Sequence, residues 1–170
     1  EKILVQENVL PEFLERFKER ASKLKVGDPT KEMDHIIGPL INDRQVERVH
    51  GQLRDAIEKG AKIELGGNIE GRFVEPTIVT NVTSDMTLYQ DETFGPVVCV
   101  IPFSTDEEAI SIANDTEYGL SSGVITKDEY RGLEIAQKLE TGMCHINCSS
   151  VNDEPHAPFG GSKSSGVGRH

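Results

Sequence analysis

Residues 97–103 read Val-Val-Cys-Val-Ile-Pro-Phe, with no polar side chain at any position. An apolar run without alternation is the pattern of a strand covered on both faces, as in a parallel sheet between helices. Other extended runs lie at 3–5, 62–65, 73–82, 123–126 and 143–147. The run at 62–65 alternates polar and apolar positions, which points to a sheet edge. Pro76 interrupts the run at 73–82. A proline donates nothing to a ladder, so that segment is expected away from the middle of a sheet.

Helical spacing fills the intervals. Pro11 suits a first turn, and Phe13, Leu14, Phe17, Ala21 and Leu24 form one stripe over residues 11–25. Asn42-Asp43-Arg44-Gln45 predicts a capping box, with Asn42 as N-cap and the Gln45 side chain reaching back to it. Val46, Val49, Leu53 and Ile57 share a face of the helix that follows, and Gly60 stops it. Residues 84–91 hold one helical turn. Thr105-Asp106-Glu107-Glu108 predicts a second box, ahead of the inward-facing Ala109, Ile110, Ile112 and Ala113. Asp128 caps a helix running to Glu140, with Leu133, Ile135, Ala136 and Leu139 on its apolar side.

Strand, helix, strand, helix, strand over 97–147 is the pattern of parallel βαβ units with right-handed crossovers. The fold class is therefore α/β, a mostly parallel open sheet flanked by helices, in a single domain over residues 1–170. In such sheets ligands gather beyond the carboxyl ends of the strands, which puts the loop after Asn147 at the functional rim.

Composition narrows the partners. A chain of 170 residues with 36% hydrophobic and 28% charged residues suits one soluble domain with a real core. No apolar run approaches a membrane span, so no membrane is expected as a partner. A net charge of −11 opposes a polyphosphate backbone, so no nucleic acid is expected either. Cys99 and Cys144 fall in predicted strands and Cys148 follows one, consistent with reduced thiols in a cytoplasmic protein. The chain opens almost at once on a strand and does not begin with Met, as a piece of a longer protein would.

Glu92 stands two residues before Phe94, and Gly95-Pro96 then turn the chain into the apolar run. A carboxylate accepts hydrogen bonds from a sugar diol, and an aromatic face suits a planar ring. The second motif, Pro158-Phe159-Gly160-Gly161-Ser162-Lys163-Ser164-Ser165-Gly166-Val167-Gly168-Arg169, comes after Asn147. Lys2-Ile3-Leu4-Val5-Gln6-Glu7, Gly38-Pro39-Leu40-Ile41, Glu75-Pro76-Thr77 and Tyr118-Gly119-Leu120 complete an ordered set. Together these blocks closely resemble the C-terminal catalytic region of the NAD(P)-dependent aldehyde dehydrogenase superfamily, over nearly the whole chain.

The resemblance implies oxidation of a small-molecule aldehyde to its carboxylic acid through a cysteine thioester, with NAD or NADP as cofactor. It implies that Glu92 binds the nicotinamide ribose hydroxyls and that Phe94 packs near the nicotinamide ring. Phe159 would lie on the substrate-entrance side, with Cys148 as a pocket-lining candidate beside Asn147. The family's nucleophilic cysteine lies shortly before the segment matching residues 2–7. Its general base, its oxyanion-hole asparagine and its main dinucleotide-binding domain lie further upstream, and an oligomerisation strand follows Gly168-Arg169. The chain is thus expected to be a truncated catalytic domain with no catalytic residue of its own. It would be inactive alone, prone to self-association, and derived from a homo-oligomeric parent.

Met143-Cys144-His145-Ile146-Asn147, with Asp153-Glu154 and the Phe-Gly-Gly motif after it, is similar to bacterial aromatic-aldehyde branches of that superfamily. Those are the vanillin, benzaldehyde and salicylaldehyde dehydrogenases. His170 departs from the Glu that many relatives carry after the Arg. Lys163 and Arg169 are read as loop anchors, since no phosphate-binding motif surrounds them. His145, Cys148, Asp153, Glu154 and His156 match no metal-ligand spacing, so no metal is expected. Two alternatives stand beside the dehydrogenase reading: a phosphorylating or acyl-phosphate-reducing relative, and a non-catalytic α/β interaction module.

Overall fold

The apolar run at 97–103 is a strand with both edges taken. In chain order, the unit Glu1–Phe103 contains β1 (Lys2–Gln6), α1 (Leu10–Ala21), α2 (Asp43–Glu58), β2 (Lys62–Leu65), β3 (Ile69–Glu70), β4 (Phe73–Val74), β5 (Thr77–Thr80), α3 (Thr87–Gln90) and β6 (Val97–Phe103). A second compact unit, Ser104–His170, contains α4 (Asp106–Asn114), β7 (Tyr118–Gly119), β8 (Ser121–Val124), α5 (Glu129–Ala136), β9 (Met143–Ile146) and β10 (Ser162–Lys163). This computed structural model describes residues 1–152 and 156–168. None of its described helices is long and apolar enough to cross a membrane.

The first unit is built on a four-stranded sheet of order β1-β6-β5-β2. The pairs β1–β6 and β5–β6 are parallel, and β2 joins β5 antiparallel at the edge. The class is therefore mixed α/β with a mostly parallel sheet. Val5, Ala21, Ile78 and Val100 form one core cluster, against which Phe13, Leu14 and Phe17 of α1 pack. Full burial of a side chain such as Ile78 or Val100, exposed 1% and 0%, contributes about 1.5–3 kcal/mol. In α2 the buried positions are Val49, Gln52, Leu53 and Ala56, whereas Ile57 is half exposed. The buried face is rotated by a fraction of a turn from the stripe that hydropathy alone selects.

Two topological expectations are corrected. β5 lies inside the sheet, between β6 and β2, despite Pro76. The proline stands just before the strand, so its missing N–H removes no ladder bond, and the Thr77 N–H donates to Pro96 O at 2.8 Å. Among the described residues, the partners of β6 are β1 and β5, and that of β8 is β9. Both edges of β6 are thus taken, and a strand has only two edges. β8, α5 and β9 do form a parallel βαβ unit within Ser104–His170. There Gly132 of α5 is the close-approach point, since a Cβ on it would lie 2.9 Å from Thr126 Cγ2 and 3.2 Å from Ile146 Cγ2. Leu133 stays half exposed rather than packing inward. The two-residue strands β7 and β10 pair antiparallel, a contact that the loop composition near the chain's end conceals.

All three predicted N-caps are present. Asn42, Thr105 and Asp128 accept from the backbone N–H groups of Gln45, Glu108 and Arg131. The reciprocal half of each box differs. The Glu108 carboxylate accepts from the Ser104 N–H at 2.8 Å. The Gln45 side chain does not return to its cap at all, and its actual partners are described with the site below.

α3 is held to α2 by Asp55. Its carboxylate accepts from the Thr87 N–H at 2.8 Å and the Thr87 hydroxyl at 3.0 Å, and it pairs with Lys59 at 2.8 Å. The Lys59 ammonium, followed by the Thr87 N–H, pushes the Asp55 carboxyl down to about 2. A depressed carboxyl stabilises the fold above its unfolded value and loses that contribution as pH falls through its folded value. The tether of α3 is therefore expected to weaken as pH falls from about 4, the unperturbed range, to about 2. Acid titration followed by hydrogen exchange at residues 87–90 checks this. Asp55→Asn should flatten the profile in that window, and an unchanged profile would remove Asp55 from the tether.

Candidate cofactor loop and rim residues

Glu92 and Phe94 lie on the loop between α3 and β6. The turn of α3 ends at Gln90 because Asp91 is extended, at φ −96° and ψ 144°. Thr93 is buried at 3% exposure while Glu92 and Phe94 face outward, so one inward residue separates two outward ones. Phe94 is 70% exposed, and its backbone sits at φ +36°, a region that non-glycine residues seldom occupy. Gly95 packs closely, since a Cβ there would stand 3.1 Å from Val49 Cγ2 and the methyl would have to yield. The chain then enters β6 through Pro96, whose carbonyl accepts from β5.

The loop backbone is gripped by α2. Gln45 Nε2 donates to Thr93 O at 3.0 Å and to Phe94 O at 3.2 Å. Arg48 Nη2 donates to Glu92 O at 2.9 Å, and its guanidinium lies 3.8 Å from the Asp91 carboxylate. These two residues escaped sequence reasoning. Their partners lie more than forty positions away, and Gln45 had an adequate local explanation as a capping-box residue. The signal available was their i, i+3 spacing on one helix face. It names a face without naming what the face meets.

The other two candidates belong to the unit Ser104–His170. Cys148 follows β9 directly after Asn147, which adopts φ +56° and accepts from the Thr126 N–H through Oδ1 at 2.9 Å. The Cys148 thiol is exposed and accepts from Asn152 Nδ2 at 3.4 Å. Phe159 is 44% exposed, and Gly160 after it is buried against Gly142 at the start of β9. Cys148 and the Phe159 loop thus flank opposite ends of one strand. Lys163 anchors its loop, donating to Asn114 O at 2.7 Å and Thr116 O at 3.0 Å and pairing with Glu140 at 2.6 Å. Arg169, Asp153, Glu154 and His170 lie outside the described residues.

The remaining thiols differ sharply from Cys148. Cys99, in the middle of β6, is 1% exposed, and burial pushes its thiol up to about 11. Cys144 lies in β9 and is half-buried. Among the described residues, three ligand-type side chains come within 4.8 Å of one another at Glu32, Asp34 and His35. Asp34 already pairs with Lys25 there.

Comparison with known proteins extends the picture. The profile of the aldehyde dehydrogenase family matches residues 1–170. A benzaldehyde dehydrogenase of Bacillus subtilis is 45% identical over 169 residues, covering 99% of this chain and 34% of the relative. A crystal structure of a salicylaldehyde dehydrogenase from Pseudomonas putida G7, complexed with salicylaldehyde, superposes with a TM-score of 0.96 at 46% identity. It covers 99% of this chain and 35% of that one. An aldehyde dehydrogenase of Mycobacterium tuberculosis, complexed with NAD+, gives a TM-score of 0.92 at 39% identity, with 99% and 35% covered. The chain therefore spans about a third of the length of the relatives it matches. With the family profile matched from the first residue to the last, this chain belongs to the aldehyde dehydrogenase family.

Proposed function

We propose that the protein to which this chain belongs oxidises an aromatic aldehyde to its carboxylic acid through a cysteine thioester, with NAD or NADP as cofactor. The observation that carries the reading is the loop 91–95, with an outward carboxylate and an outward aromatic ring on a backbone fixed from α2. A nicotinamide cofactor supplies the hydride acceptor when bound. The residues present suit it: an exposed carboxylate can accept from a ribose diol, and an exposed ring can lie beside a planar heterocycle. Glu92 would orient the ribose and Phe94 would shield one side of the ring from water. Phe159 would lie on the substrate-entrance side, and Cys148, past the carboxyl end of β9, would line the pocket. Both units are read as parts of one catalytic domain, in a cytoplasmic enzyme.

The aromatic preference draws on the benzaldehyde and salicylaldehyde dehydrogenases among the relatives and on the sequence of β9 with the loop after it. The phosphorylating or acyl-phosphate-reducing alternative shares the family but draws no support from those two relatives. In the intact enzyme, kcat/KM for benzaldehyde-type substrates is expected to exceed that for acetaldehyde by roughly tenfold or more, the discrimination that a few apolar contacts supply. Preference for acetaldehyde or a charged semialdehyde would overturn the aromatic assignment. Glu92→Gln should lower kcat/KM for the cofactor by roughly tenfold, the loss of one charge-assisted hydrogen bond, with the melting temperature unchanged. Unaltered kinetics with both nucleotides would take Glu92 out of the site.

A further inference from the structure

Phe94 holds a left-handed backbone at φ +36° although the residue is 70% exposed. Packing of the ring against the described residues therefore does not maintain that conformation. What surrounds the backbone is one face of α2. Gln45 Nε2 reaches two successive carbonyls, Thr93 O and Phe94 O, at 3.0 and 3.2 Å. Arg48, one turn on, donates to Glu92 O at 2.9 Å. Val49 beside it closes on Gly95, where a Cβ would stand only 3.1 Å from its Cγ2. Positions i, i+3 and i+4 of a single helix thus meet the backbone of four successive loop residues. The helix end that supplies them is itself fixed, because Asn42 Oδ1 accepts from the Gln45 N–H at 2.9 Å.

We propose that Gln45 and Arg48 are positioning residues that lock loop 92–95 in its cofactor-receiving conformation before any cofactor arrives. This rests on the reading of Glu92 and Phe94 as nicotinamide-side residues. Both donors act on carbonyl oxygens of the loop, so they set where the Glu92 carboxylate and the Phe94 ring point. A backbone organised in advance binds without an ordering cost at the moment of association.

The test uses the intact enzyme. Gln45→Met keeps the side-chain length and the capped backbone N–H but removes the donor. In the cofactor-free enzyme, chymotrypsin cleavage after Phe94 is followed by mass spectrometry, and it reports how often the loop opens. NAD+ and NADP+ affinities are measured by calorimetry. Cleavage is expected to accelerate by about five- to tenfold, and the dissociation constant of the preferred nucleotide to rise by a similar factor, the scale of one lost hydrogen bond. In a Glu92→Gln background the affinity effect should shrink below additivity, because part of what the held loop presents, the Glu92 carboxylate, is already lost. Gln45→Glu, which replaces the donor with an acceptor of the same shape, should behave alike and serves if the methionine variant misfolds.

Unchanged cleavage would overturn the proposal, even with weakened affinity, because Gln45 would then act on the ligand directly. Faster cleavage with unchanged affinity would overturn it too. If Glu92→Gln alone left both affinities intact, the reading of the loop would fail first. If Glu92→Gln weakened binding and the Gln45 variants did not, only the positioning role would fail.

Discussion

The purified 170-residue chain is expected to reduce no NAD or NADP with any aldehyde. Thioester chemistry needs a thiolate beside an activating group, and the three thiols present are poorly placed for it. Cys99 is sealed in the sheet and held protonated, its thiol pushed up to about 11 by burial. Cys144 is half-buried in the βαβ unit. Cys148 is exposed, and its thiol accepts from the neutral Asn152 amide, which cannot serve as an activating base. On the proposed function, the nucleophile and base are expected to lie outside these residues. Absorbance at the reduced-nicotinamide band with a panel of aldehydes decides the matter. Turnover abolished by Cys148→Ser would show that the catalytic centre lies in this chain after all.

Gly142→Ala is expected to destabilise the unit Ser104–His170 by about 3 kcal/mol, the upper range for overpacking. A Cβ at Gly142 would stand 1.8 Å from Gly160 O and 2.7 Å from its carbonyl carbon. Both are backbone atoms, so no side-chain rotation relieves the clash. The contact docks the residue after Phe159 against the start of β9, so the substitution should also displace the Phe-Gly-Gly loop. Gly51→Ala is the matched control with the opposite sign. Gly51 is inside α2 with nothing within 4 Å of its would-be Cβ, so alanine should stabilise by about 0.5–1 kcal/mol. Denaturant titration of the two variants separates these outcomes. A neutral Gly142→Ala would mean that the loop does not rest against β9.

Local signals in the sequence were sufficient for much of this architecture. The helix starts at Asn42, Thr105 and Asp128 are legible because a cap is made by residues three apart. β6 is legible because burial on both faces leaves no room for polar side chains. The family is legible from ordered motifs, and the profile match over the whole chain agrees. Strand order was not legible. That β6 pairs with β1 and β5 while β8 pairs with β9 depends on which edges meet, and backbone hydrogen bonds carry no side-chain signature. Nor was the interior place of β5, because Pro76 reads as a breaker until its position just before the strand is known.

The same division holds at the candidate site. Glu92 and Phe94 stand out in the sequence as an acid and a ring ahead of a Gly-Pro turn. Gln45 looks like the second half of a capping box, and only its side-chain partners in the folded chain, Thr93 O and Phe94 O, reveal what it holds. Sequence determines which local conformations are favourable and which chemical groups are on offer. Contacts between residues 45 and 94 arise from the packing of α2 against the loop, and that packing exists only once the sheet beneath it has formed.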